Sequence, residues 1–87
     1  MTTRIITLQA TSGLHARPAG ELVKLAKSFA GTKITLSAGA RTVNAASMLS
    51  ILSLGLKQGS EIEIGADGPD EGKAIEAVST FIQNITE

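Results

Sequence analysis

The spacing of apolar residues changes repeatedly along this chain, and the order of those changes limits the folds open to it. Residues 3–9 alternate, with Ile6 and Leu8 on one side. Residues 33–37 alternate again through Ile34 and Leu36, a further extended run begins over Arg41–Val43, and residues 61–66 place Ile62 and Ile64 inward with Glu61 and Glu63 outward. A period of two is that of a half-buried strand. Between these runs the spacing becomes helical. Residues 16–29 carry Ala19, Leu22, Val23, Ala26 and Phe29 on one stripe. Residues 47–54 carry Met48, Leu49, Ile51 and Leu52, and the last run carries Ala74, Ile75, Val78, Phe81, Ile82 and Ile85. Each helix offers one apolar stripe and each strand one apolar face. The order strand, helix, strand, strand, short helix, strand, helix therefore predicts a two-layer α+β domain, an open-faced sandwich with helices on one face of an antiparallel sheet.

Punctuation residues set the boundaries. Pro18 fits only the first turn of a helix, so that helix starts near Ala16, and Gly31 stops it. Ala38-Gly39 predicts a loose hairpin with Gly39 in the left-handed region, because Ala38 resists positive φ and a tight Asn-Gly-type turn. Ser47 is the expected N-cap of the short helix, which ends at Gly55. Gly68-Pro69 opens the last helix, with Asp70 and Glu71 in its first turn.

Composition excludes several classes of function. The 87 residues suit one domain, residues 1–87, near the lower limit for a single apolar core. No cysteine is present, so neither a disulfide nor a thiolate site supports that core, and a reducing compartment fits. The start Met-Thr-Thr-Arg is not that of a signal peptide and no run is long enough to span a membrane, so a cytoplasmic protein without membrane contact is expected. With one histidine and no cysteine, no metal site is expected, and nothing calls for a cofactor. Net charge is zero yet unevenly spread. Residues 1–60 hold Arg4, Arg17, Lys24, Lys27, Lys33, Arg41 and Lys57 against Glu21 alone, while residues 61–87 hold seven acidic residues against Lys73. A basic docking face for an acidic partner is one reading; interleaving of the two sets on folding is the other. Neutral charge and the absence of Tyr and Trp argue against nucleic-acid binding.

The chemistry concentrates in Gly13-Leu14-His15-Ala16-Arg17-Pro18-Ala19, where a strand-like run gives way to a helix and the only histidine stands. His15 falls at or beside the N-cap. The first N–H groups of a helix lack internal partners and the dipole adds positive charge, which suits a phosphate. A neutral imidazole near physiological pH is a nucleophile, and Arg17 can add charged donors. His15 as phosphoryl acceptor stands against His15 as a simple cap, and Arg17 as phosphate ligand against Arg17 as a solvated surface residue. Lys24 and Lys27 suit the C-terminal end of their helix by dipole alone, at about 0.3–1 kcal/mol each. Ser47 is explained as a cap, or as a phosphorylation site favoured by a helix N-terminus. A short helix cannot bury every face, so part of Met48, Leu49 and Leu52 forms an apolar patch of the kind that binds proteins.

The Gly13–Ala19 stretch resembles the active-site signature of the HPr family, the phosphocarriers of the bacterial sugar phosphotransferase system. Val43-Asn44-Ala45-Ala46-Ser47-Met48-Leu49 and Ser53-Leu54-Gly55-Leu56 resemble its second signature, and length and element order fit across essentially the whole chain. The resemblance implies strand order 1-4-2-3 with three helices on one face. It implies that His15 accepts a phosphoryl group on Nδ1 from phosphorylated enzyme I and passes it to the A domain of a sugar-specific enzyme II, with Arg17 steadying the charge. Lys24, Lys27, Met48, Leu49 and Leu52 would contribute to docking, and the protein would be a monomer. Ser47 matches a serine that a dedicated kinase/phosphorylase modifies in many Gram-positive members, creating a surface for a transcriptional regulator; Ala46 replaces the lysine usual beside it. A regulatory, nitrogen-branch type, of which Asp67-Gly68-Pro69-Asp70-Glu71 is reminiscent, is the alternative, and an interaction module without phosphoryl chemistry is another.

Overall fold

Alternation in the first run becomes strand β1 (Thr2–Thr7), and the stripe that follows Pro18 becomes helix α1 (Ala16–Ser28). Strands β2 (Lys33–Ala38) and β3 (Arg41–Asn44) form a hairpin, short helix α2 (Met48–Ser53) follows, and strand β4 (Glu61–Asp67) leads into helix α3 (Glu71–Gln83). The computed structural model describes residues 2–10, 13–14 and 16–85.

The four strands form one antiparallel sheet in the order β1-β4-β2-β3. β4 therefore lies between β1 and β2, with Ile6 opposite Ile62 and Leu36 opposite Ile64. One sheet face is buried: Ile6, Ile34, Leu36, Ile62, Ile64 and Ala66 point into the core, where Ala19, Leu22, Ala26, Ala74, Ile75, Val78 and Ile82 meet them from α1 and α3. The other face carries Glu61, Glu63 and Ile5, and Ile5 is 62% exposed. Side chains alternate across a strand, so this face is the outward half of the same pattern. Each fully buried Leu or Ile contributes about 1.5–3 kcal/mol relative to exposure.

Several boundaries differ from expectation for local reasons. The regular ladder of β1 ends at Thr7, because its partner β4 begins at Glu61. Leu8 remains fully buried and instead pairs with the preceding turn, its N–H donating to Ser60 O at 2.8 Å and its carbonyl accepting from Gly59 N at 2.8 Å. Phe29 lies one residue beyond α1 and is half-buried. Gly68-Pro69 precedes α3 rather than forming its first turn, and Asp70 occupies the N-cap.

The hairpin is tight, not loose. β2 runs through Ala38, which pairs with Arg41, so the loop is only Gly39-Ala40. Gly39 has φ +62°, and no non-glycine among the described residues has positive φ. Glycine at the first central position is the requirement of a type II′ turn, whose twist matches that of the strands. Ala38 is spared positive φ because it ends the strand instead of entering the turn.

The last helix holds a buried polar contact that hydrophobic patterning passes over. Ser79 is 1% exposed on the core side of α3. Arg4 of β1 donates to its Oγ at 2.9 Å and pairs with Glu76 at 3.0 Å, while the Ser79 hydroxyl donates to Glu76 O. A buried hydroxyl needs such partners, and these join the first strand to the last helix.

Candidate functional site

His15 lies outside the described residues, as do Thr11 and Ser12; Gly13 and Leu14 precede it and α1 begins immediately after it. The approach to α1 is pinned. Gly13 N–H donates to Ala10 O at 3.1 Å, and Leu14 N–H donates to Leu56 O at 3.3 Å. Leu14 is buried. Gly13 has φ +73°, and a Cβ there would overlap the Leu56 carbonyl oxygen and come within 2.8 Å of Lys57 Cα. Only glycine allows both that backbone angle and that approach. The stretch leading to the histidine is thus clamped to the segment that follows α2.

α1 starts at Ala16, and Pro18, its third residue, is buried. Proline suits that turn because the first four N–H groups of a helix have no carbonyl partner within it. Arg17 is exposed in this turn, and Lys24 and Lys27 are exposed farther along α1. The three cations thus share one helix but span almost its whole length.

α2 packs beside α1. Met48, its first residue, brings Sδ within 3.8 Å of the place a Cβ would occupy on Gly20. Ile51 points into the core and is fully buried, while Met48 is 39% and Leu49 80% exposed; Leu52 is half-buried. The short helix therefore leaves an apolar surface, centred on Leu49, beside the N-terminal half of α1. Ser47 caps it: its Oγ accepts from Ser50 N–H at 3.4 Å, and its backbone is extended, with φ −117° and ψ 108°. This is the geometry of an N-cap.

The basic half of the sequence does not collect on one face. Arg4 is spent on Ser79 and Glu76. Arg41 binds the far end of α2, donating to Ser53 O at 2.6 Å and Ser53 Oγ at 3.0 Å. Lys33 sits in register with Asp67 at the sheet's end. Sequence charge counting missed these assignments, because each pairs residues far apart in the chain. The Asp67–Glu71 stretch also has a structural role. A Cβ at Gly68 would come within 2.6 Å of Gly31 O, and Thr32 Oγ1 accepts from Asp70 N–H at 3.2 Å. Glu71 is held below its usual carboxylate range, first by the Thr2 hydroxyl that donates to it and then by the Gly68 N–H. Among the described residues, no group of three or more His, Cys, Asp or Glu could hold a metal ion, and no helix is long and apolar enough to cross a membrane.

Against known proteins, the family profile described as PTS HPr component phosphorylation site matches residues 2–84. The phosphocarrier protein HPr of Buchnera aphidicola is 42% identical over 80 residues, covering 92% of this chain and 93% of that protein. Among solved structures, HPr-C-His from Thermoanaerobacter tengcongensis superposes with a TM-score of 0.90 at 37% identity, covering 95% of this chain and 92% of the other. An HPr dimer from the same organism aligns with a TM-score of 0.74 at 37% identity, over 95% and 94% of the two chains.

Proposed function

The chain belongs to the HPr family of phosphotransferase-system phosphocarriers, and from that premise we propose that it carries its phosphoryl group on His15, between phosphorylated enzyme I and the A domain of a sugar-specific enzyme II. The observation that carries this reading is the coincidence of the only histidine with the residue immediately before α1, inside a match to a phosphorylation-site family over residues 2–84. In the transfer, Nδ1 of neutral His15 forms a bond to phosphorus as the donor's bond to phosphorus breaks, and the next acceptor reverses the step. Little covalent machinery is required, because phosphoryl transfer depends chiefly on positioning and charge stabilisation. The N–H groups of the first turn of α1 receive the phosphoryl oxygens, and Arg17 steadies their charge. The clamp of Gly13 and Leu14 on Leu56 supports a fixed approach to the helix.

Docking in this reading uses the Met48, Leu49 and Leu52 surface together with Lys24 and Lys27 of α1. The protein acts in the cytoplasm as a monomeric single domain. Ser47 is a regulatory site for a serine kinase/phosphorylase, and its modified form is read by a transcriptional regulator. A phosphoryl group there would add negative charge at the N-terminus of α2, where the dipole favours it.

The test is incubation with phosphoenolpyruvate and enzyme I, followed by intact mass before and after mild acid. The expected result is a gain of one phosphoryl group that acid removes and His15→Ala abolishes. Transfer surviving in His15→Ala overturns the assignment. For Ser47, a kinase that modifies Ser47→Ala as fast as the wild type overturns the regulatory reading.

A further inference from the structure

We propose that Arg41 is a positioning residue for phosphotransfer: from β3 it holds the C-terminal end of α2 and so sets how the exposed Met48 and Leu49 are presented to partner proteins. This rests on the phosphocarrier reading above.

α2 has six residues, and a helix that short has little stability of its own. Its interior anchor is Ile51, and its N-terminal end is capped by Ser47. The last turn contains no basic residue, although its carbonyls need donors and its dipole favours a cation. Arg41 supplies both from another element. Nη1 donates to Ser53 O at 2.6 Å, Nη2 donates to Ser53 Oγ at 3.0 Å, and that hydroxyl donates to Ser50 O at 2.6 Å. The guanidinium thus reaches two successive levels of the helix end.

The base of this tether is rigid, because Arg41 pairs with Ala38 across the two-residue turn. Its other end bears on the proposed docking surface. Leu49 and Ser53 stand one turn apart on the same side of α2, and Leu49 is 80% exposed. With so little packing of its own, Leu49 takes its place from the orientation of the helix. A docking charge would act differently: it would need only the positive sign, whereas this contact uses the planar two-nitrogen fork.

The experiment uses the whole protein, with Arg41→Ala and Arg41→Lys as variable substrates of enzyme I charged by phosphoenolpyruvate. Both variants are expected to raise KM roughly fivefold with kcat near the wild-type value, the scale of losing hydrogen bonds to a charged group at one remove from the interface. Amide exchange at residues 50–54 is expected to quicken. On a Leu49→Ala background, Arg41→Ala should add little further loss, because both changes act through the same surface. An unchanged KM, full recovery by Arg41→Lys, or a full additional loss on the Leu49→Ala background each overturns the proposal. If wild-type protein accepts no phosphoryl group, the functional reading fails and the proposal with it. If the wild type accepts one and the variants match it in KM and in exchange, the positioning role alone fails.

Discussion

Replacing Gly13 with alanine tests whether the approach to His15 is held by backbone contact. Two costs follow from the structure. At φ +73° a non-glycine residue loses about 1–2 kcal/mol. The new Cβ must also push away the Leu56 carbonyl, which weakens the Leu14–Leu56 hydrogen bond, at about 0.5–1.5 kcal/mol. With some residual overlap the total is about 2–4 kcal/mol. A domain of this length has roughly 4–13 kcal/mol in all, so over most of that range the variant should fold but melt about 8–32 °C lower. Gly55→Ala is the control. It also has a positive φ, +63°, just past the end of α2, but nothing lies within 4 Å of its Cβ. Urea melts of the two variants should differ by about 1 kcal/mol or more, Gly13→Ala being the weaker. At a temperature where both are folded, Gly13→Ala should also accept phosphate more slowly from enzyme I, because the Leu14 contact is displaced. Equal melts would refute the clamp and leave only backbone preference at both sites.

Three other outcomes follow. Ser47→Ala removes the N-cap contact to Ser50 and should cost about 0.5–2 kcal/mol, read in the same melts. Arg4→Ala leaves the buried Ser79 hydroxyl without its donor and should cost about 1 kcal/mol; removing the exposed Glu76 partner by Glu76→Gln should cost less. Glu71 has its folded-state pKa depressed below the usual 4.5, chiefly by the Thr2 hydroxyl. Its contribution is therefore present above the unfolded value and lost as pH falls through the folded one. Glu71→Gln should lower the melting temperature at pH 7 and converge with the wild type in acid below the usual carboxylate range, and a constant gap down to pH 3 would contradict this.

The alternation of Ile34 with Leu36 and of Ile62 with Ile64, and the stripes around Leu22 and Val78, were legible without coordinates, because strand and helix periods are local properties. So were the capping of α2 by Ser47 and the start of α1 at Ala16, since a cap acts within three residues and proline excludes the helix interior. Strand order came from likeness to a family, and the coordinates bear it out. The tight turn at Gly39-Ala40 was misjudged because pairing of Ala38 with Arg41, a choice of register, decides which residues enter the turn. The fates of Arg4, Arg41 and Lys33 were invisible, because charge in a sequence has no direction: folding sends Arg4 to Ser79, Arg41 to the end of α2 and Lys33 into register with Asp67. What the sequence by itself determined was the set of elements and the residue types at the site, which depend on near neighbours. The tertiary structure alone decided which backbone could pass within contact of Gly13, and which side of α2 would be left for a partner, because both depend on separate elements of the chain being brought together.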